Sequence, residues 1–282
     1  IIVMNDQLDL YEKTNGMTKD EKATYVYQSL KAHAAQSQRL LQLHIADKGI
    51  KHHSFFAFNG MQAWMTLDEA EYMATNFDID RIIPNVQTRV ERPYTNDEYI
   101  ATMRTDAEWG IRQIKADTVW EMGIRGEGVI VAGQDTGYDY DNPAILTKYR
   151  GYSADTVIHD YSWHDAIHEL NPMHGDSDND PANNPCGLDS TEPCDDHAHG
   201  SHTMGTMVGG NDTLKIGVAP DAKWIACRNM DRGYGSPVTY TECYEWFLAP
   251  TDINGQNPDP TRSPHVINNS WGCPPNEGCN LD

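Results

Sequence analysis

Within DDHAHGSHTMGT, residues 195–206, histidines 197, 199 and 202 stand beside two aspartates, and well upstream an apolar run, GEGVIVAGQDTG (126–137), ends in Asp135-Thr136-Gly137. Three chemistries compete for these residues. His197, His199 and Ser201-His202 approach the H-x-H-x-D-H spacing of dinuclear zinc hydrolases, and imidazole is a good zinc ligand. Ser201 stands where that pattern needs a carboxylate, which weighs against it. D-T-G after an apolar strand is also the way aspartic proteases present a carboxylate, but their chemistry needs two carboxylates sharing one proton. A single D-T-G occurs here. The third chemistry joins the two motifs: a buried carboxylate orients an imidazole, which takes the proton of an attacking serine.

That third chemistry needs Asp135 at the end of a strand and His199 at the start of a helix, brought together at one edge of a sheet. The elements for it are legible. GEGVIVAGQDTG, AKWIACRNM (222–230) and HVINNSWG (265–272) read as buried parallel strands, with a helical VTYTECYEWFLA between the last two. Alternating β and α predicts a doubly wound parallel sheet, an α/β fold whose working residues gather at the carboxyl ends of its strands.

Residues 1–92 read as a separate, small α+β module. IIVMN is a short strand, and TKDE (18–21) is a capping box opening a helix with Val26, Leu30, Ala34, Leu41 and Ile45 on one face, closed by Gly49. Two β-rich runs surround Asn59-Gly60, a pair suited to a type I′ hairpin turn. TLDE (66–69) caps a second helix, and DIDRIIPNVQTRV (78–90) supplies the last strand. The order βαββαβ predicts a ferredoxin-like unit. Residues 93–108 lack periodicity and read as a linker or processing region, followed by a larger unit over 109–282.

Composition narrows the function classes. The formal charge is −21 in 282 residues, which repels nucleic-acid phosphates and anionic membrane surfaces. No run is long and apolar enough to cross a bilayer as a helix. The six cysteines fall in the second half, and Cys186/Cys194 and Cys273/Cys279 are close pairs in loops, leaving Cys227 with Cys243. Six cysteines allow fifteen pairings and free buried thiols are the alternative, but this pattern favours disulfides and an oxidising compartment. The acidic loop 176–196, DSDNDPANNPCGLDSTEPCDD, has Pro where an EF-hand needs Gly. It reads as a solvated insertion.

The motifs VIVAGQDTGYDYDNPAI, HGSHTMGTMVGG, IGVAPDAKWIACR and APTDINGQNPDPTRSPHVINNSWGCPPNEGC occur in this order over residues 109–282. In them the sequence resembles the subtilisin-like serine peptidases, and within those the bacillopeptidase F-like group. The resemblance implies a secreted serine endopeptidase acting on peptides and proteins. Asp135 would be the triad aspartate and His199 the general base, with His202 a structural helix residue and His197 a loop residue near the cleft. Gly233, Tyr234 and Gly235 would line one side of the substrate and Ser270, Trp271 and Gly272 the other. It also implies that residues 1–92 are an inhibitor I9-type propeptide whose tail fills the cleft. Catalysis would need no cofactor and no metal ion, a structural calcium is compatible with the family, and the protein would be a monomer. The family's oxyanion-hole asparagine and nucleophilic serine, in a G-T-S-M-A-type motif, are expected beyond Asp282, since no G-T-S occurs in these residues. Alone, the segment is expected to be inactive; a non-catalytic pseudo-peptidase, inhibitor or chaperone is the alternative.

Overall fold

The structure, a computed structural model, describes residues 1–92, 107–174, 184–211 and 213–272. Its first part contains β1 (Ile2–Met4), α1 (Lys19–Ser37), α2 (Arg39–Asp47), β2 (His52–Phe55), β3 (Gly60–Ala63), α3 (Leu67–Asn76) and β4 (Ile79–Ile82). The four strands form an antiparallel sheet in the order β2-β3-β1-β4. Both helix starts are fixed as their sequences require. Thr18 accepts the Glu21 N–H while Glu21 reaches back to the Thr18 N–H, and Thr66 accepts the Glu69 N–H. Ile2, Met4, Leu41, Ile45, Met61, Met73 and Ile79 close a core under the sheet.

Three sequence expectations in this part are corrected. The first helix is two helices, interrupted at Gln38, whose buried side chain donates to the Phe55 carbonyl and to Asn59 Oδ1. Asn59-Gly60 is not a two-residue turn: residues 56–59 connect the strands and Gly60 opens β3, paired with Phe55. Gly60 is needed for close approach, since a Cβ there would lie 2.4 Å from the Ile2 carbonyl oxygen and 2.1 Å from the Phe58 ring. Finally, DIDRIIPNVQTRV is not one strand. It gives β4 and then β5 (Thr88–Arg89), which leaves this sheet for another.

The second part begins with the short helices α4 (Trp109–Gln113) and α5 (Ala116–Glu121) and continues with β6 (Ile130–Asp135), a small hairpin of β7 (Tyr152–Ser153) and β8 (Thr156–Val157), and β9 (Trp163–Asp165). Then come α6 (His199–Val208), β10 (Lys223–Arg228), β11 (Met230–Asp231), β12 (Tyr234–Gly235), α7 (Pro237–Leu248) and β13 (Val266–Asn268). Strands β13, β6, β10 and β9 are neighbours in that order and all run parallel. Alternate residues face opposite layers. Val131, Trp224 and Ala226 pack with Tyr138, Tyr149, Met204 and Val208, whereas Ala132, Ile225 and Cys227 pack with Cys243, Trp246 and Phe247. With both faces covered, β6 and β10 are apolar through their middles, which is why they were legible as continuous runs, and the buried polar residues Gln134, Asp135 and Arg228 come at their carboxyl ends.

Disulfides join Cys186 to Cys194 and Cys227 to Cys243, the latter pinning β10 to α7. The expected pair Cys273 and Cys279 lies outside the described residues, as do positions 93–106 of the expected linker.

Candidate active site

Strand β6 delivers Asp135 to the carboxyl edge of the parallel sheet, where its side chain is 1% exposed. A carboxylate taken from water so completely must be met by donors. The Thr136 N–H donates to Oδ1 at 2.7 Å, and the Thr203 hydroxyl lies 3.4 Å from Oδ2. The remaining partner is the imidazole of His199, whose Nδ1 is 2.7 Å from Oδ1 and donates to it. The hydrogen bond to Asp135 raises the His199 pKa above its ordinary value, with partial burial opposing and the Asp135 and Asp195 charges adding to the rise. With Nδ1 committed to the carboxylate, Nε2 is the nitrogen left to accept a proton, as a general base requires.

The approach of helix α6 to β6 depends on missing side chains. A Cβ at Gly200 would stand 2.0 Å from the Gly137 carbonyl oxygen, and a Cβ at Gly137, where φ is +111°, would stand 1.8 Å from the Cys194 carbonyl oxygen. Glycine at both places lets the start of the helix lie directly against the end of the strand.

The three histidines part company here. His199 faces Asp135. His197 is buried against Gly233, with its Nε2 2.8 Å from the site of a Gly233 Cβ, and burial pushes its pKa down. Its ring centroid is 6.4 Å from that of His199. His202 is exposed on α6. No group of three His, Cys, Asp or Glu side chains suited to hold a metal ion occurs among the described residues, and much of the acidic loop, 175–183, lies outside them.

Gly233, Tyr234 and Gly235 lie beside these histidines and are paired. Strand β12 takes β5 as an antiparallel neighbour, Thr88 opposite Gly235 and Arg89 opposite Tyr234, and the Val90 N–H donates to the Gly233 carbonyl at 2.9 Å. The tail of the first module thus runs as an added strand on the residues expected to bind substrate. Val90 is 7% exposed, buried with Met230 and Tyr240, and Trp271 packs on the same cluster. Two residues beyond Val90, the charge of Arg92 depresses the His197 pKa further. On the other side, Trp271 stacks on Tyr240 with centroids 3.9 Å apart and donates its indole N–H to the Gln134 carbonyl. Ser270 accepts from the Asn268 amide at 2.8 Å. Ser270, Trp271 and Gly272 carry no strand pairing among the described residues, so the tail is held by β12 alone in backbone terms.

Several contributors went unread in the sequence. Asp195 bridges the Thr136 hydroxyl and the start of α6. Below the cleft, Gln134 links Asn229 to Asn269, tying the ends of three strands together. The buried Arg228 binds Asp165, Asp196 and Asp231. Burial raises Asp196, to about 6, although Arg228 holds it back. The D-D pair at 195–196 was a visible signal for Asp195; nothing in the sequence points to the Arg228 cluster.

A four-stranded parallel sheet covered by helices on both faces, with an Asp–His pair at its carboxyl edge, defines the subtilisin-like α/β class. Residues 126–279 match the subtilase family, Peptidase_S8, and the chain belongs to that family. It is 33% identical to bacillopeptidase F of Bacillus subtilis over 270 residues, which is 90% of this chain and 17% of that protein. It is 30% identical to the minor extracellular protease Vpr of the same organism over 187 residues, 64% of this chain and 20% of that one. Among solved structures, the epidermin leader peptide processing serine protease of Staphylococcus aureus shares the fold, with a TM-score of 0.54 at 14% identity, covering 74% of this chain and 45% of that one. The chain therefore spans a fifth or less of the length of these two curated relatives.

Because its folded pKa is raised, His199 adds stability that is fully present below about pH 6.5 and is lost as pH rises through the folded value. Replacing Asp135→Asn removes the main cause, so the His199 titration followed by NMR moves to lower pH than in the unsubstituted protein. An unchanged titration would show that the 2.7 Å contact is not what sets it.

Proposed function

We propose that this chain is the precursor part of a secreted subtilisin-like serine endopeptidase: a propeptide over residues 1–92 followed by the first portion of the catalytic domain. Asp135 orients His199, and His199 Nε2 takes the proton of a serine hydroxyl supplied by sequence beyond Asp282. The resulting alkoxide-like oxygen attacks the peptide carbonyl, an acyl-enzyme forms as the amine leaves with the proton from His199, and water reverses the sequence. The observation that carries this reading is the Asp135–His199 contact at the carboxyl edge of the parallel sheet. Membership in the subtilase family supports the reaction type, and the two disulfides together with the extracellular relative Vpr support secretion.

The first module acts as a ferredoxin-like propeptide. Its strand order and the antiparallel seat of residues 88–90 on β12 support this role, since an added strand occupies the course an extended substrate would follow. The body of the module docks through Glu245 of α7, whose carboxylate accepts the Phe56 and Ala57 N–H groups at the β2–β3 connection. Burial pushes this carboxyl up to about 7, and the two N–H bonds resist the shift.

The full-length protein tests both parts. A fluorophosphonate probe labels it, and His199→Ala removes labelling along with peptide hydrolysis, a loss on the order of 10⁴-fold or more. Undiminished labelling in that variant would contradict the proposed triad, and failure of the unsubstituted protein to label would favour a non-catalytic role. Placing a charge in the apolar pocket by Val90→Asp releases the tail and speeds labelling of the uncleaved precursor about tenfold or more. An unchanged rate would show that the tail does not guard the cleft.

A further inference from the structure

Asp195 stands outside the Asp135–His199 pair yet touches nearly everything that holds it. Its carboxylate accepts five hydrogen bonds. Oδ1 takes the Thr136 hydroxyl at 2.9 Å, the His197 N–H at 3.0 Å and the Ala198 N–H at 2.8 Å. Oδ2 takes both the N–H and the hydroxyl of Ser201, at 2.9 and 2.6 Å. The two hydroxyls pass the restraint on. Thr136 Oγ accepts the Gly200 N–H at 3.0 Å, and Ser201 Oγ accepts the Asp139 N–H at 2.8 Å.

These bonds sit on both sides of His199. One set fixes the residue after Asp135 in β6, and another fixes the two residues before His199 and the two after it. Ala198 is held at φ +68°, a left-handed conformation that an alanine adopts only under restraint. The segment that carries Asp195 is itself anchored, by a backbone bridge to Gly137, the Tyr138 N–H bond to the Cys194 carbonyl and the Cys186–Cys194 disulfide. A side chain that clamps the end of β6 to the start of α6 decides the distance and angle between Asp135 and His199.

We infer that Asp195 is a positioning residue for the proposed reaction, fixing the His199 ring against Asp135 and adding a second negative charge behind the base. This rests on the serine peptidase reading. The charges that face His199 are Asp135 from β6 and Asp195 from the preceding loop; His197 is the neighbouring imidazole, and Arg92 on the tail faces His197. Removing a carboxylate from this set makes protonation of His199 less favourable, so the ring stays in its basic form to lower pH.

In the full-length enzyme, Asp195→Asn lowers kcat about tenfold with KM within about twofold, because geometry is disturbed while the substrate strand is untouched. The acid limb of the kcat/KM profile moves to lower pH, and the His199 titration by NMR moves with it. A purely structural role would leave both the acid limb and the titration where they are, and that result would overturn the inference. Ser201→Ala is a gentler second variant that deletes the 2.6 Å bond and keeps the charge. It lowers kcat about threefold and leaves the acid limb in place; full kcat in this variant would equally overturn the clamp. His199→Ala run alongside keeps the two claims apart. If it retains activity the peptidase reading fails, whereas if it is inactive and Asp195→Asn matches the unsubstituted enzyme in kcat and pH profile, only the role of Asp195 fails.

Discussion

A carboxylate buried at the end of a parallel strand has to be satisfied by donors, and most of the cleft follows from how Asp135 is satisfied. A lysine or arginine partner would have had to be taken out of water as well. The fold instead supplies a backbone N–H, a threonine hydroxyl and one imidazole nitrogen. The imidazole is thereby held in one orientation, with its other nitrogen left as an acceptor. Glycines at 137 and 200 permit the close approach of strand and helix.

The floor of the cleft is stiffened by polar contacts that the apolar layers could not provide. Arg228 is fully buried among three carboxylates, and its own pKa is raised because Asp165, Asp196 and Asp231 outweigh the burial that acts against the charge. Removing Arg228 would leave three buried carboxylates without their shared counter-charge. The Gln134–Asn229–Asn269 chain does similar work across the sheet. Over this floor the first module is joined by a short backbone ladder at β12, by two N–H donors from Phe56 and Ala57 aimed at the Glu245 carboxylate, and by side-chain bonds such as those of Asn85 to Ser236 and the Val238 N–H. The ladder accepts almost any sequence, while the apolar pocket around Val90 selects the side chain.

What could be read in the sequence was what a single physical requirement dictates. β6 and β10 were legible because both faces are covered and their middle residues are apolar, with polar groups only near the strand ends. The capping boxes at Thr18 and Thr66 were legible because each satisfies orphan N–H groups by local contacts alone. The pairing of Asp135 with His199 emerged by setting two motifs beside each other. Readings failed where a residue serves a distant contact. Gly60 resembles half of a hairpin turn, yet its glycine is demanded by Ile2 and Phe58. Gln38 looks like an ordinary helix residue, yet its side chain leaves the helix to hold Phe55 and Asn59. The run 78–90 looks like one strand because the change of sheet partner after β4 leaves no local mark. Asp195 is of the same kind in one respect: four of its five bonds are local, to residues 197–201, but the one to Thr136, which ties it to β6, exists only in the folded chain.

The most direct measurement of the central claim is the tautomer of neutral His199, read from the nitrogen-15 shifts of its ring in the full-length protein above the His199 pKa. The structure requires Nδ1 to carry the hydrogen, donated to Asp135, and Nε2 to be the bare acceptor. Finding the hydrogen on Nε2, with Nδ1 bare toward a charged Asp135, would contradict it.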